Sequence, residues 1–392
     1  MPPTPAPVRP RSTTSRMLAV LVSVGALLVT GASLLYLGHS PPVISAGNSV
    51  NPVNPAQIAM AAPERAAKTN PAREVTTAKI ESGPNAANFY KDAFVLYDQL
   101  TEEEKKLLVN RKNMPDPETA KALEARIRPI LDLLHEAAAQ DKCDWGIDKY
   151  TFDTPMPQFA KARNLLMVGL WDATYQFPTD AGAAIGDLQD VQKLGHNISD
   201  LLIGAIVDIS FAASTTEVIR QSTPSLDSTA LDQVTAFLAN TPSLQDDLTR
   251  ALQQESEFAR ESLQKYSPPF NELADHLAAT EQQFIETLSW KDAQFQAWWQ
   301  TITEEATNYP FEADVLRTLK GLRERFQYNQ VQQAMLSAGV GVLQGGTSQT
   351  AMDPYSGNPF TYVPTATGFD LRSTFVYKDK PVSMSFSWPT PQ

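Results

Sequence analysis

The sequence predicts a mainly α-helical protein with an N-terminal transmembrane helix, a disordered linker, an irregular multi-helix bundle or array, and a small C-terminal antiparallel β-hairpin or three-stranded sheet. Three observations support this prediction. Residues 17–37 form an uncharged apolar run, apolar residues then recur at intervals of three and four from residue 85 to about 340, and after residue 352 they alternate with polar residues. Spacings of three and four residues are typical of helices, and alternation of apolar and polar residues is typical of strands.

The apolar run at residues 17–37 predicts an uncleaved membrane anchor. Its 21 residues, at 1.5 Å each, are enough to cross a hydrocarbon core of ~30 Å. Residues 1–16 form a Pro- and Arg-containing tail, and the next charged residue after the run is Glu64. Because positive charge favours the cytoplasmic side, we expect the tail in the cytoplasm and the body outside it. A cleaved signal peptide is the alternative, although its apolar segment is typically ~7–15 residues.

Charge and composition separate the linker from the body. Residues 38–84 are rich in Pro, Ala, Asn and Ser, which predicts a disordered linker. The first 63 residues hold three arginines and no acid, so the remaining residues hold 29 basic and 44 acidic side chains, a net charge of −15. Since a nucleic-acid groove needs clustered Lys and Arg to neutralise phosphates, this balance argues against nucleic acid as a partner.

Residues 85–340 are predicted to form the helical domain. Thr101 with Glu104 is a capping-box pattern at one helix start. Residues 159–177 and 201–213 are apolar on nearly every side, which indicates buried core helices. The second is too short for another membrane span and contains Asp208. Five further helices, mostly separated by prolines, are predicted at about 225–240, 243–266, 269–288, 291–307 and 311–338.

Residues 341–392 are predicted to be a loop followed by a small β element. The string DPYSG at 353–357 is a turn sequence. Two alternating segments around the tripeptide at 378–380 predict a hairpin, with residues 360–363 as a third strand. Because two or three strands are marginal alone, we expect their apolar face to dock on the helices.

The sequence assigns no catalytic, cofactor-binding or metal-binding residue. Cys143 is the only cysteine, so no intrachain disulfide can form, and no neighbouring histidine favours its thiolate. We therefore expect an inert structural thiol. His135 begins an HExxH-like string, but Ala139 replaces the second zinc ligand. The glycines of 339–345 do not have the spacing of a dinucleotide-binding loop.

Two residue groups leave alternatives open. Asp187, Asp190 and Asp208 could act as paired acid and base groups, but we expect the first two to face solvent or cap neighbours and Asp208 to pair with a helix end or an arginine. A second group lies at helical spacing. It is interpreted as core, with a sugar- or lipid-binding groove as the alternative, and consists of Phe295, Trp298, Trp299 and Ile302.

Several short strings resemble a group of uncharacterised membrane-anchored helical proteins of planctomycete and verrucomicrobial envelopes. They are NAANFY at 85–90, CDWG at 143–146, and the segments 162–170, 194–206 and 353–359. The chain departs from the group at 345–350, where a longer Pro- and Leu-bearing stretch is replaced, and at its Ser-rich end. The resemblance implies the architecture of most of residues 85–365 and a bacterial envelope location, and no activity.

These features together predict a single-pass signal-anchor protein of the bacterial inner membrane, with a cytoplasmic N-terminus and a periplasmic C-terminal domain. It contacts the lipid bilayer through residues 17–37. The leading hypothesis is a non-catalytic scaffold or binding module for an envelope protein. One alternative is an envelope enzyme or carrier acting on glycan or lipid, using Trp298, Trp299 and a buried carboxylate such as Asp208. The other is a component of a secretion apparatus, based on the turn at Asp353 and the terminal strands.

Overall fold

A computed structural model describes residues 84–388, except 112, 148–153, 155–156, 264–268, 290, 306–309 and 347–350. Within these ranges the protein is mainly helical and has a small three-stranded antiparallel sheet near the C-terminus, which confirms that part of the predicted fold class. The predicted transmembrane helix at 17–37 and the linker before Pro84 lie outside the described residues.

The helices follow one another through most of the body, and several begin at a side chain that accepts a backbone N–H. Asn85, Asp116, Asp180 and Asp227 cap in this way, and Thr101 with Glu104 forms the predicted capping box. The bounds are α1 Ala86–Asp98, α2 Glu102–Val109, α3 Pro117–Ala138, α4 Pro157–Gln176, α5 Ala181–Asn197, α6 Leu202–Ser222, α7 Ser228–Asn240, α8 Leu244–Leu263, α9 Pro269–Thr287, α10 Asp292–Glu305 and α11 Pro310–Leu343.

Helix α6 lies at the centre of the bundle. Phe211, Val218 and Ile219 belong to a main core with α1, α3, α4, α5, α7 and the sheet, whereas Ile206 and Ile209 belong to a second core with α8, α9, α10 and α11. Leu202–Ser225 is long and apolar enough to span a membrane, but 67% of its most apolar window is buried. This burial agrees with the prediction of a core helix.

Three of the strings that carry the family resemblance meet around the indole of Trp145. Its ring stacks at 5.9 Å from Tyr90 and 6.2 Å from Phe94, and its Nε1 donates to the carbonyl of Asn197 at 3.0 Å. Asn197 in turn donates to the Tyr90 hydroxyl at 3.0 Å. The start of α1, the 141–147 loop and the end of α5 are therefore held together by structural contacts.

The sheet has the order β1-β2-β3, with β1 Thr361–Pro364, β2 Gly368–Tyr377 and β3 Lys380–Ser387. β2 and β3 form the predicted hairpin, joined by Lys378 and Asp379, which both have positive φ (49° and 62°), as the two-residue turns of twisted hairpins require. The buried face contains Phe369, Leu371, Phe375, Val382, Met384 and Phe386. It packs on α11, so the predicted docking is confirmed.

One local feature holds the predicted turn against β2, and another holds the sheet against α11. Asp353 is 1% exposed; it accepts from the Tyr355 N–H at 2.9 Å and from the Ser373 hydroxyl at 2.7 Å, so the predicted turn is tied to β2. At Gly339 a Cβ would overlap the ring of Phe386. Helix α11 continues to Leu343, past the end near residue 338 that the sequence pattern predicts, so Gly339 lies inside the helix.

Candidate functional site

The His135 cleft is an open depression of about 450 Å³ between α3, α5 and the end of α7. It is lined by His135, Gln189, Asp190, Lys193, Asn240 and Thr241, among others. His135 Nδ1 lies 3.2 Å from Asp190 Oδ2, and the two side chains are 78% and 11% exposed. Burial raises the pKa of Asp190, and the neighbouring His135 opposes this shift. The cleft thus presents an accessible imidazole that a buried carboxyl group orients.

A buried pair of carboxyl groups lies on the neighbouring helices α4 and α5. Asp172 is completely buried, and its carboxyl group lies beside that of Asp187; Asp172 Oδ1 and Asp187 Oδ2 are buried, and no N–H or O–H group of the described residues reaches either oxygen. Arg128 from α3 reaches Asp172 Oδ2 with its Nη2 at 3.3 Å and also contacts Glu124. Burial, followed by the effects of Asp172, raises the pKa of Asp187 to about 9. With its pKa raised in this way, Asp187 keeps its proton at neutral pH, and this proton can satisfy the facing oxygen of Asp172.

A second buried carboxyl pair joins α6 to α8. The carboxyl group of Asp208 lies beside that of Asp247, and the two residues are 5% and 2% exposed. Burial and Asp247 raise the pKa of Asp208 well above its ordinary value. Asp247 is also contacted by His196 Nδ1 at 2.9 Å and by Arg250 Nη2 at 2.7 Å. A Cβ at Gly195 would overlap the Asp208 carboxyl group, so glycine permits this close approach of α5.

The Trp298 cleft is a smaller depression of about 270 Å³ between α9 and α10. One wall is a stripe of α9 that carries His276, Thr280 and Gln283, and the other is a stripe of α10 that carries Trp298, Thr301 and Ile302. The indole of Trp298 is partly buried, and its Nε1 donates to Gln283 Oε1 at 3.0 Å. The cleft therefore combines an aromatic ring with uncharged hydrogen-bonding side chains.

The structure corrects the expectation for the three aspartates. Asp187 and Asp190 do not face solvent as free surface groups, because Asp187 pairs with Asp172 and Asp190 pairs with His135. Asp208 pairs with another carboxyl group, and the arginine of that cluster contacts Asp247. Each of the three therefore has its own partner, and they form no common acid and base site.

The aromatic stripe divides between core and surface. Phe295 and Ile302 are 1% and 5% exposed, as the core interpretation expects. Trp298 and Trp299 remain partly exposed, and only Trp298 lines the cleft; Lys320 Nζ lies 5.6 Å from the centre of the Trp299 ring. Of the two tryptophans, only Trp298 lies where the alternative interpretation places a binding groove. Asp208 does not line this cleft; it belongs to the carboxyl pair between α6 and α8.

The remaining candidates from the sequence are Cys143 and possible metal ligands. Cys143 is free and partly buried, and burial raises its pKa to about 12, so the group is a protonated thiol at neutral pH. In the part of the chain that the structure describes, no three His, Cys, Asp or Glu side chains are placed to hold a metal ion. Asp172 is fully buried and Asp247 is 2% exposed, so neither of these two carboxyl groups lies at the surface of the body.

Sequence reasoning missed Asp172, Asp247, Arg128 and Arg250. The useful signal for Asp172 is the same one that identified Asp208: each is the single charged residue in an apolar stretch of helix. Asp247 and Arg250 carry no such signal, because their helix α8 alternates between polar and apolar faces and both residues read as surface groups.

Comparisons with known proteins give no further assignment: no family model, curated protein or solved structure matches this chain.

Proposed function

We propose that this protein is a binding module or scaffold of the bacterial cell envelope, anchored in the inner membrane by residues 17–37. The tail at 1–16 then lies in the cytoplasm and the helical body lies in the periplasm. The observation that carries the binding role is the His135 cleft, where imidazole, ammonium, amide and hydroxyl groups converge on one open depression. The anchor and its orientation rest on the charge pattern of the sequence.

The chemistry of the His135 cleft favours a polar segment of an envelope protein as the partner. Gln189 and Asn240 offer amide groups, which match the donors and acceptors of a peptide backbone. Lys193 offers a positive charge, so an acidic side chain of the partner finds a counterpart in the cleft. The net charge of −15 on residues 64–392 opposes binding to an anionic membrane surface.

Orientation is tested with a reporter enzyme that is active only after export, fused behind Gln392 in the full chain. We expect activity from this fusion and none from a matched fusion at residue 16. Activity confined to a reporter that works only in the cytoplasm contradicts the proposed orientation.

Partner binding is tested by placing a photocrosslinking amino acid at Gln189, on the rim of the His135 cleft, in intact cells. The matched control places it at Val109, which is 65% exposed on α2, away from the cleft. We expect a discrete crosslinked product from Gln189 that Val109 does not give, and a weaker product when Asp190→Asn is added. Equal products at both positions, or none at Gln189, contradict a partner site in this cleft.

A further inference from the structure

The polar groups of the His135 cleft differ in whether the protein itself already uses them. The Thr241 hydroxyl lies 3.1 Å from Gln192 Oε1 and 3.0 Å from the carbonyl oxygen of Phe237. Asn240 donates an amide N–H to the carbonyl of Ala236 at 2.8 Å. These bonds hold the end of α7 in place at one side of the cleft. A ligand is therefore selected mainly by the groups that remain.

Lys193 is the charged group of the cleft that remains for a ligand. It is partly buried in the lining, and it forms no ion pair with any residue whose position the structure gives. Asp190 does not neutralise it in this way, because its carboxyl group faces His135 Nδ1 at 3.2 Å. The exposed imidazole keeps its second nitrogen, Nε2, for a hydrogen bond. An ammonium group beside an imidazole suits a carboxylate, which accepts charge-assisted hydrogen bonds.

Apolar side chains form the rest of the wall. Ala138 and Ala139 come from α3, Phe237 comes from α7, and Pro242 follows α7. An apolar side chain that covers them removes apolar surface from water, which favours binding. The volume of about 450 Å³ lies within the range of ligand pockets, ~300–1,000 Å³. The cleft therefore has room for more than a single carboxylate.

We propose that the His135 cleft binds a segment of the envelope partner in which an acidic side chain stands next to an apolar one, and that Lys193 selects the acidic group. This inference rests on the proposed function and names the chemistry of the partner at the same site. The net charge of −15 on residues 64–392 does not prevent such binding. Exposed charges farther away than ~8 Å are largely screened at physiological ionic strength, so the charge within the cleft decides.

The test uses the full chain in an uncharged detergent and short fluorescent peptides, with binding followed by fluorescence anisotropy. The probe peptide has a glutamate followed by a leucine between flanking glycines. Matched peptides replace the glutamate with glutamine or lysine, or the leucine with glycine. We expect saturable binding of the probe, at least ~10-fold weaker binding of the lysine peptide because like charges then meet, and weaker binding of the other two. No saturable binding of the probe, or equal affinity for the lysine peptide, overturns the proposal.

Variants locate the selection at Lys193. We expect Lys193→Glu to reverse the preference, so that the lysine peptide binds more tightly than the probe, and Lys193→Arg to keep the wild-type order. Lys121→Glu is the matched control, because Lys121 is exposed near the start of α3, 14 residues before His135 or roughly 21 Å along the helix. If Lys193→Glu fails to fold by circular dichroism, Lys193→Gln replaces it and should bind the glutamate and glutamine peptides equally. Wild-type discrimination in a folded Lys193→Glu or Lys193→Gln variant overturns the proposal.

The crosslinker at Gln189 separates this inference from the proposed function. We expect Lys193→Glu to reduce the Gln189 product in intact cells, and Lys121→Glu to leave it unchanged. A product that persists at the wild-type level in a folded Lys193→Glu variant overturns the acidic segment and leaves the partner site in place. No Gln189 product in the wild type overturns both.

Discussion

Asp187→Asn is expected to make the stability of the protein less dependent on pH. In the wild type, the folded state keeps a proton between Asp172 and Asp187, whereas in the unfolded chain both groups lose theirs near pH 4. An asparagine can donate its amide N–H to Asp172 and carries no charge. Asp172 can then ionise beside Arg128, which lies 3.3 Å away, and no proton has to be retained.

The sign and size follow from proton linkage. Burial raises the pKa of Asp187 from 3.8 to about 9, so between these values the folded state binds more protons than the unfolded state. The free energy of unfolding therefore falls as pH rises through this window, by up to ~1.4 kcal/mol per pH unit for one proton. From pH 5 to pH 8 the upper limit of the decrease in unfolding free energy is ~4 kcal/mol. Solvent screening at the partly exposed Asp187 and the charge of Glu124 alter the decrease that is measured.

The assay is urea unfolding of the full chain, followed by circular dichroism, at several pH values between 5 and 8. Asp92→Asn is the matched control, because Asp92 is exposed on α1. We expect the slope of unfolding free energy against pH to become shallower in Asp187→Asn. The change should correspond to at most one bound proton, or ~1.4 kcal/mol per pH unit. The slope should stay unchanged in Asp92→Asn. Since Asp208 and Glu281 also have raised pKa values, some slope remains in the variant. Equal slopes in the wild type and Asp187→Asn would refute the shared proton.

Two further substitutions test the packing of the sheet and the second carboxyl pair. Gly339→Ala should destabilise the fold by ~1–3 kcal/mol, because the new methyl group overlaps Phe386. Gly341→Ala is the matched control: this position has open space around it, so the substitution should stabilise the fold by up to ~1 kcal/mol. If thermal unfolding ranks the two variants in the opposite order, this packing is contradicted. Arg250→Ala should destabilise the fold by ~2 kcal/mol, since it leaves the buried Asp247 charge without its nearest cation. Adding Asp247→Asn to this variant should recover much of the lost stability. If it does not, the loss has a cause other than charge.

The secondary structure could be predicted because its signals are local. The alternation after residue 380 depends only on which side chains fit a half-buried strand, so β3 appears where the pattern places it. Helix α6 was recognised as core by the same logic, since an apolar helix needs burial on all sides. Helix α11 ends five residues beyond the predicted end near residue 338, because Gly339 and Gly341 stay within the helix and Gly339 leaves room for the ring of Phe386.

The clefts and carboxyl pairs could not be predicted, because each depends on how separate helices are rotated against one another. Asp172 and Asp187 are close in sequence, but their pairing requires that α4 and α5 pack antiparallel with both residues turned inward. His135 and Asp190 are farther apart, and nothing in either local pattern specifies the other. A cleft such as that at Trp298 further depends on the gap that two helices leave between them, which has no periodic signature.

The two carboxyl pairs also explain how nearly featureless helices find a single orientation. Helices α4 and α6 are apolar on almost every side, so hydrophobic burial alone favours many rotations about their axes to a similar degree. Asp172 on α4 and Asp208 on α6 remove this degeneracy, because any rotation that separates them from Asp187 and Asp247 leaves a buried carboxyl group without a partner. The cost of leaving these carboxyl groups without a partner is then a physical basis for a specific register among α4, α5, α6 and α8.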